Sequence, residues 1–476
     1  MELGKFNDEV GIVNTQEDVV DVAVLGAGAA GLAAAWYAAR RGLRVMVLDR
    51  APDIGGLAAS ITVTGQRVDL GSHRLHPSIR ADLLADLVGL LGEELQRRER
   101  NGRIRLDGRW IGFPLRVANV ARHARPAFAA HVLADIAAAP LRSRRNQADD
   151  FASRVRAGMG PTIATAFYEP YARKLWDVAA SDLSGELFRR RVGARSATAL
   201  LRRALAQRRR PMFWYPAGGF GRIVEAVAAA VVEAGGTIST GVALDRVAAV
   251  PQGVVVTPTV GRPVRARTVV STIPSRDLAS LADAPAIVRA ASARLTHRGA
   301  VLVYLTVPRP RYSPYDAHYF PEPSVRIARL SEPKGYRDSP SDPAHSTVLC
   351  AEIPATVGDA VWTATDAELG ELVRTDLRSV GLAEPETTSV HVERRSHVYP
   401  VYRIGFEHDQ RRVDQWLGGL DNVVALGRQA LFAHDNTHHA FAMGHAVAEC
   451  MNADGRIDPA AWNRARQQFD DHVVED

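Results

Sequence analysis

Cysteine is nearly absent from this chain of 476 residues: Cys350 and Cys450 are the only two, far apart and in no CxxC pair. That excludes a disulfide framework and a thiolate zinc site, and it fits a reducing, cytoplasmic setting. Lysine is almost as scarce. Lys5, Lys174 and Lys334 stand alone among 59 basic residues, so arginine carries nearly all the positive charge behind a net +6. With alanine also abundant, the skew reads as the codon usage of a GC-rich bacterium. It does not read as a nucleic-acid surface, because no stacking platform or nucleic-acid-binding fold accompanies it. No stretch approaches the roughly 18 uninterrupted apolar residues of a membrane span. The N-terminal segment lacks the positive flank and apolar run of a signal peptide, and residues 1–18 are expected to form a loose tail. What is present is an ordinary globular balance, 46% hydrophobic and 24% charged. A chain of this length outgrows a single core, so two intertwined domains are expected.

From Val19 the sequence reads VVDVAVLGAGAAGLAAAWYAARRGLRVMVLDR. An apolar run, a glycine turn, an alanine-rich helix and a second apolar run make a βαβ unit. Gly26 permits the tight turn, Gly28 lets backbone approach a pyrophosphate, and Gly31 lets helix lie close on strand. Ala29 and Ala30 open the helix, whose N-terminus faces the anion. Asp49 ends the second strand 23 positions after Gly26, where a carboxylate accepts the ribose hydroxyls, and Arg50 follows it in the expected cofactor set. An acid there disfavours the 2′-phosphate of NADP.

Directly afterwards, RAPDIGGLAASITVTGQRVDLGSHRLHP brings Gly55, Gly56 and Leu57 into a second close-approach loop and runs on to Gly71, Ser72 and His73. This second glycine motif resembles that of the large flavoprotein group holding amine oxidases, phytoene desaturases, protoporphyrinogen oxidase and UDP-galactopyranose mutase. The texture is that of the bacterial protoporphyrinogen-oxidase-like branch. Three later segments extend the resemblance. FYEPYARKLWDVAASDLSGELFRRRV is similar to the family's YxxKxWG segment at Tyr171, Lys174 and Trp176, with Asp177 where glycine is expected. WYPAGGFGRIVEAVAAAVVEAGGTISTGVALDRV, which contains Tyr215, resembles its YPxGG strand-turn-helix; Leu244 in the following strand aligns with the residue that meets adenine. NVVALGRQALFAHDNTHHAFAMGHAVAECM resembles the closing flavin motif. There Gly427 and Arg428 are implied at pyrophosphate and ribityl. Asp435, Asn436 and Thr437 open a helix whose positive end would stabilise the charge of a reduced flavin.

The resemblance spans Val19 to about Met451 and implies FAD in an α/β fold, a Rossmann-type FAD-binding domain (GR2-like) interleaved with an α+β substrate domain. Residues 19–75, 212–275 and 418–455 are assigned to the FAD domain, 76–211 and 276–417 to the substrate domain, and 456–476 to a tail or helix. Residues 78–210 read as mostly helical. Strand-like runs in 298–330 and 385–403 predict a mixed sheet over the flavin, and the proline-rich stretch 321–346 predicts an exposed loop.

In such a protein the flavin takes or gives hydride at N5, and the chain supplies orientation and electrostatics. Candidates for groups beside it are His73, Lys174, His438 and His439. A packing role for His73 and a snorkelling surface role for Lys174 stand as equal readings. His434, His438, His439 and His445 invite a metal reading; with no thiolate near and the loop already accounted for by flavin, no metal is assigned. Tyr171, Lys174, Trp176, Tyr215 and Tyr402 form the expected substrate set. Between Leu187 and Arg210 nine arginines occur without an acid. A solvated face, a diphosphate or carboxylate pocket, and attraction to an anionic membrane are all open readings. The basic and apolar interleaving of LRVANVARHARPAFAAHVLADIAAAPLRSRR keeps the last alive.

The leading expectation is a cytoplasmic oxidoreductase acting on a small molecule of sugar or secondary metabolism. Peripheral contact with the inner membrane face, a phosphorylated or sugar-linked substrate, and any oligomeric state stay open. A redox-neutral sugar-nucleotide mutase working on reduced FAD is the runner-up, and a protein whose FAD is structural is the third reading.

Overall fold

The computed structural model describes residues 19–113, 119, 122–139, 148–192 and 211–474. The expected tail, 1–18, and most of the arginine-rich stretch, 193–210, lie outside the described residues.

Strand Val20–Leu25 is buried at every position after its first, as a strand covered on both faces must be. It pairs in parallel with Val45–Leu48 on one side and with Val264–Ser271 on the other. Beyond Val45–Leu48 lies Thr237–Ser239, also parallel. Two strands then share the far edge of Val264–Ser271. Gly253–Pro258 runs antiparallel to its first half, and Val423–Ala425 runs parallel to its second. Leu244–Val250 completes the sheet through a hairpin. Three distant stretches of the chain are thereby joined in one sheet.

Helix Ala29–Arg40 lies between helices Thr437–Glu449 and Arg222–Glu233. Its alanines answer a packing requirement there, beyond any codon bias. A Cβ placed on Gly444 would stand 2.6 Å from the Ala33 Cβ and 2.9 Å from the Ala30 carbonyl oxygen, so larger side chains at this crossing would force the helices apart.

The second sheet runs in the order Ser389–Pro400, His297–Val307, Thr347–Ala355, Arg329–Ser331, Ala317–Tyr319, Gly102–Leu106, Arg109–Phe113. All its pairings are antiparallel except that between Ala317–Tyr319 and Gly102–Leu106. Alternation sends Val301, Val303 and Leu305 into a core with Leu369, Val373 and Leu377 of helix Asp366–Ser379. Ala300 and Leu302 face the opposite way, towards the cavity described below.

One expectation is refined and another corrected. The stretch read as mostly helical is so among its described residues, but it also holds strands Leu95–Glu99, Gly102–Leu106 and Arg109–Phe113. The last two are joined at Asp107 and Gly108, both at positive φ, an Asp-Gly hairpin turn flanked by alternating residues. The proline-rich stretch 321–346 is not an exposed loop. Val325, Ile327, Leu330, Ser331, Glu332, Tyr336 and Arg337 are all buried. Its polar groups are satisfied internally: Glu332 accepts from Tyr312 N–H, Ser313 N–H and the Thr347 hydroxyl, and Arg337 pairs with Asp342. Among the described residues no helix is long and apolar enough to cross a membrane.

Candidate functional site

The chain leaves strand Val20–Leu25 through Gly26, at φ +108°, where a Cβ would strike the Thr272 hydroxyl at 2.2 Å. A Cβ on Gly31 would fall 1.9 Å from the Gly26 carbonyl, so helix and turn meet without a side chain between them. Gly28 has nothing within 4 Å of where its Cβ would stand, so its backbone is open to a ligand. The second glycine turn braces the first: Gly55 N–H donates to the Ala27 carbonyl at 2.7 Å. Asp49 is fixed at the end of its strand, with Oδ2 accepting Ala27 N–H at 2.6 Å and Oδ1 accepting Ala51 N–H at 2.8 Å. Each oxygen retains a lone pair for a hydroxyl.

These groups line one end of a continuous cavity of about 1830 Å³. A pocket for a single small ligand occupies roughly 300–1,000 Å³, so this space accommodates a dinucleotide and a second molecule. Of the expected cofactor set, Gly26, Gly28, Ala29, Ala30, Asp49, Arg50, Gly56, Leu57, Gly71, Ser72, His73, Leu244, Gly427, Arg428, Asp435, Asn436 and Thr437 all line the cavity. Gly31 lies beneath it, buried.

The residues suit a flavin dinucleotide. The Arg428 guanidinium is committed to carbonyls, donating to Val398 at 2.6 Å and Asp435 at 3.3 Å, while its buried Nε has no partner. Burial, together with nearby Arg191, pulls its pKa down, so an anion bound beside it would stabilise its charge. Helix Thr437–Glu449 presents its N-terminus at the same wall. Its first turn is locked by a reciprocal cap in which Asn436 N–H donates to His439 Nδ1 at 3.1 Å. Burial, with nearby His438 and His472, holds His439 neutral, its pKa pushed down to about 2, and burial holds neighbouring His438 down to about 4. Both histidines stand behind the cavity wall and do not line it. Asp435 accepts from His472 Nδ1 at 2.9 Å. Asp435, His439 and His472 offer ligand atoms within 4.8 Å of one another, a grouping hidden in the sequence because His472 comes from the C-terminal segment.

The other candidates divide. His73 lines the cavity, stacks on Phe220 at 5.2 Å and keeps a buried, unpartnered Nδ1; burial lowers its pKa, so it is neutral. Tyr171 and Trp176 line the cavity. Lys174 does not: its ammonium donates to the carbonyls of Phe320 and Ile327, and burial draws its pKa down to about 8. Tyr215 is in the core, its hydroxyl donating to the buried Asp69 carboxylate. Tyr402 stacks on Phe406 at 4.0 Å and donates to the Phe432 carbonyl at 2.8 Å. In all three the polar head is used inside the fold, so the structure brings none of them to the cavity. Asp177, where glycine was expected, keeps the left-handed turn at φ +55° and binds Arg298 at 2.9 Å.

Sequence reasoning missed the pair at the junction of the two halves. Glu352 accepts both arms of Arg329, at 2.8 and 2.7 Å, and also Ser72 N–H at 2.7 Å. Burial opposes the charge on Arg329, but Glu352 together with Tyr319 and Tyr399 raises its pKa. The available signal was a lone carboxylate in the otherwise apolar strand TVLCAEIPA. Within the arginine-rich stretch, Arg190 is buried against Glu186 at 2.8 Å, and Arg191 lines the cavity over the Trp176 ring at 5.9 Å.

The profile of the family described as flavin containing amine oxidoreductase matches residues 29–450. Among solved structures the chain is similar to a reduced UDP-galactopyranose mutase, 20% identical over 91% of this chain and 93% of that one, with a TM-score of 0.77. It is also similar to a protein described as a protoporphyrinogen oxidase from Exiguobacterium sp. 255-15, 17% identical over 91% and 99%, TM-score 0.70. A putrescine oxidase bound to putrescine is 15% identical over 91% and 98%, TM-score 0.62. At such identities the likeness is one of fold. A ferredoxin–NADP reductase of Salinispora arenicola (strain CNS-205) is 44% identical over 70 residues, 14% of this chain and 21% of that reductase, so the match spans about a fifth of that relative.

Proposed function

This chain belongs to the flavin containing amine oxidoreductase family, with FAD as its cofactor, and on that premise we propose an FAD-dependent oxidoreductase that takes hydride from a small molecule. The observation that carries the reading is the continuity of the cavity: the dinucleotide cradle and the further space lined by residues such as His73, Trp176, Tyr399 and Arg428 are one cavity, and we take these four as the junction of its two parts. The pyrophosphate falls to Gly28 and the N-terminus of helix Ala29–Arg40, the adenosine ribose to Asp49, and adenine to the start of strand Leu244–Val250. Arg428 and the first turn of helix Thr437–Glu449 supply positive potential at the other end of the cofactor. When bound, the flavin supplies the hydride acceptor. His73, neutral and beside that junction, is the candidate for holding a proton there. Lys174, His438 and His439 leave the candidate set because none of them lines the cavity. The test is anaerobic mixing of the FAD-loaded protein with amines, alcohols and activated C–H donors. Bleaching of the oxidised flavin band by at least one class is expected; a band unmoved by all of them overturns the reading.

A second reading is favoured by one observation, the presence of Arg191 and Arg428 together in the cavity, which suits a diphosphate. It is redox-neutral rearrangement of a sugar nucleotide on reduced flavin. Turnover of UDP- or dTDP-sugars only after dithionite treatment supports it, and inactivity in both redox states removes it.

A further inference from the structure

We infer that the half of the cavity remote from the dinucleotide cradle takes an apolar chain, so that the ligand of the proposed oxidoreductase is lipid-like, with hydrocarbon in this arm and its reacting carbon at the polar junction. The inference rests on the oxidoreductase reading for its chemistry and on the cavity walls for its class of ligand. Those walls come from three separate elements. Ile104 and Ile111 face it from the edge hairpin of the second sheet, Phe128, Val132 and Ile136 from helix Pro126–Ala137, and Phe167 from the helical turn that follows Ile163.

The helix is the decisive part. Phe128, Val132 and Ile136 recur every four residues, forming one stripe on the order of 12 Å long. Such a stripe ordinarily packs into a core. Here no residue of the helix is buried, and the three stripe residues are half-buried, lining space instead of protein. The helix is held by a polar tie: Asp135 accepts Thr162 N–H at 2.8 Å, beside Gly160, where a Cβ would stand 2.7 Å from the Asp135 Cβ. Among the described residues its apolar face is therefore left over for an occupant. None of these six residues offers a polar side chain, so a sugar or phosphate placed against them would lose its hydrogen bonds to water without replacement; Arg100, which also lines the cavity, stands over the Phe113 ring at 5.7 Å. Arg329, which also lines the cavity, is already paired with Glu352, so it adds no free charge that would draw a polyanion into the arm.

The test is binding of straight-chain alkanols, from butanol to decanol, to the FAD-loaded protein. It is read by perturbation of the flavin spectrum and independently by tryptophan fluorescence, since Trp176 lines the cavity. The dissociation constant is expected to fall about fourfold for each added CH₂. Val132→Asp should flatten the series at unchanged FAD content. Ala129→Trp, which fills the arm, should cut it off at a shorter chain. Val260→Asp, on an exposed loop away from the cavity, should leave it intact. Should Val132→Asp lose its fold by thermal melting, Ala129→Trp alone decides. A dissociation constant independent of chain length overturns the inference, as does a dependence that runs to the same chain length in Ala129→Trp as in the wild type. A protein that holds no FAD but still shows the length dependence by fluorescence sinks the oxidoreductase reading and leaves the apolar arm standing.

Discussion

Glu352 joins the two halves of the site: one carboxylate receives the Arg329 guanidinium and the Ser72 amide, the first from its own sheet and the second from the loop that follows the glycine motifs. Removing it leaves the partly buried Arg329 charged and unpaired, with the amide unsatisfied. Glu352→Ala is therefore expected to destabilise in urea unfolding by somewhat less than the roughly 3–5 kcal/mol of a fully buried pair, and Glu352→Gln by less still, because an acceptor remains. Equal midpoints for wild type and Glu352→Ala would show that the pair makes no net contribution. Asp177 poses the opposite case. It caps helix Glu169–Trp176 in the left-handed region and holds Arg298. Asp177→Gly removes the conformational cost and loses a half-exposed ion pair, two effects of about 1 kcal/mol each and opposite sign, so the stability change should stay within about 1 kcal/mol. Asp177→Val keeps the cost, loses the pair, and should destabilise. The departure from the family's glycine is thus tolerated because aspartate is among the few side chains that visit that conformation.

At the scale of elements, two helical glycines make a matched experiment. Gly444 lies at the crossing of helices Thr437–Glu449 and Ala29–Arg40, with the Ala33 Cβ and the Ala34 amide nitrogen 2.6 and 2.7 Å from where its own Cβ would be. Gly89, in helix Ala81–Leu91, has nothing within 4 Å. Gly444→Ala should cost roughly 1–3 kcal/mol by overpacking, whereas Gly89→Ala should gain about 0.5–1 kcal/mol by restricting the unfolded chain. Thermal melts of the two variants separate the effects; a shift of the same sign in both would sink the packing argument. The same contrast shows what was legible in the sequence. The βαβ unit could be read because turn, helix, strand and acid lie within some thirty residues and each answers a local demand. The hairpin around Asp107 and Gly108 was equally local, an Asp-Gly turn between alternating residues, but it sits inside a stretch whose other segments carry a helical pattern. Arg329 was out of reach: its prolines and polar neighbours say loop, and its burial depends on strands that come from distant parts of the chain. Tyr215 and Tyr402 show a further limit. A tyrosine's place in a motif does not say whether its hydroxyl serves a ligand or, as here, Asp69 and the Phe432 carbonyl.

Across the whole molecule, the surfaces where the two sheets and their helices meet enclose several histidines that burial keeps neutral. His438 is held down to about 4, His297 and His318 to about 3, and His439 to about 2, against 6.5 for the unfolded chain. As pH falls below 6.5 the unfolded chain takes up these protons first, so the unfolded state binds more protons than the native one. Stability is then fully present above that value and is lost as pH falls towards the folded values, with a slope of about 1.4 kcal/mol per pH unit for each such histidine. Lys174 acts with the same sign in a higher window. Its folded pKa of about 8 lies below the 10.5 of the exposed amine, so stability climbs again as pH rises from 8 towards 10.5. A melting temperature that drops steeply from pH 7 to 5 is expected, together with a modest rise above pH 8. His438→Asn should remove close to one proton from the acid slope and leave the alkaline rise untouched, and Lys174→Met should do the reverse. Because the two windows do not overlap, melts at pH 5, 7 and 9 on the three proteins test each assignment separately. A variant whose acid and alkaline slopes both match wild type means that the group it lacks is not the one whose burial sets that slope.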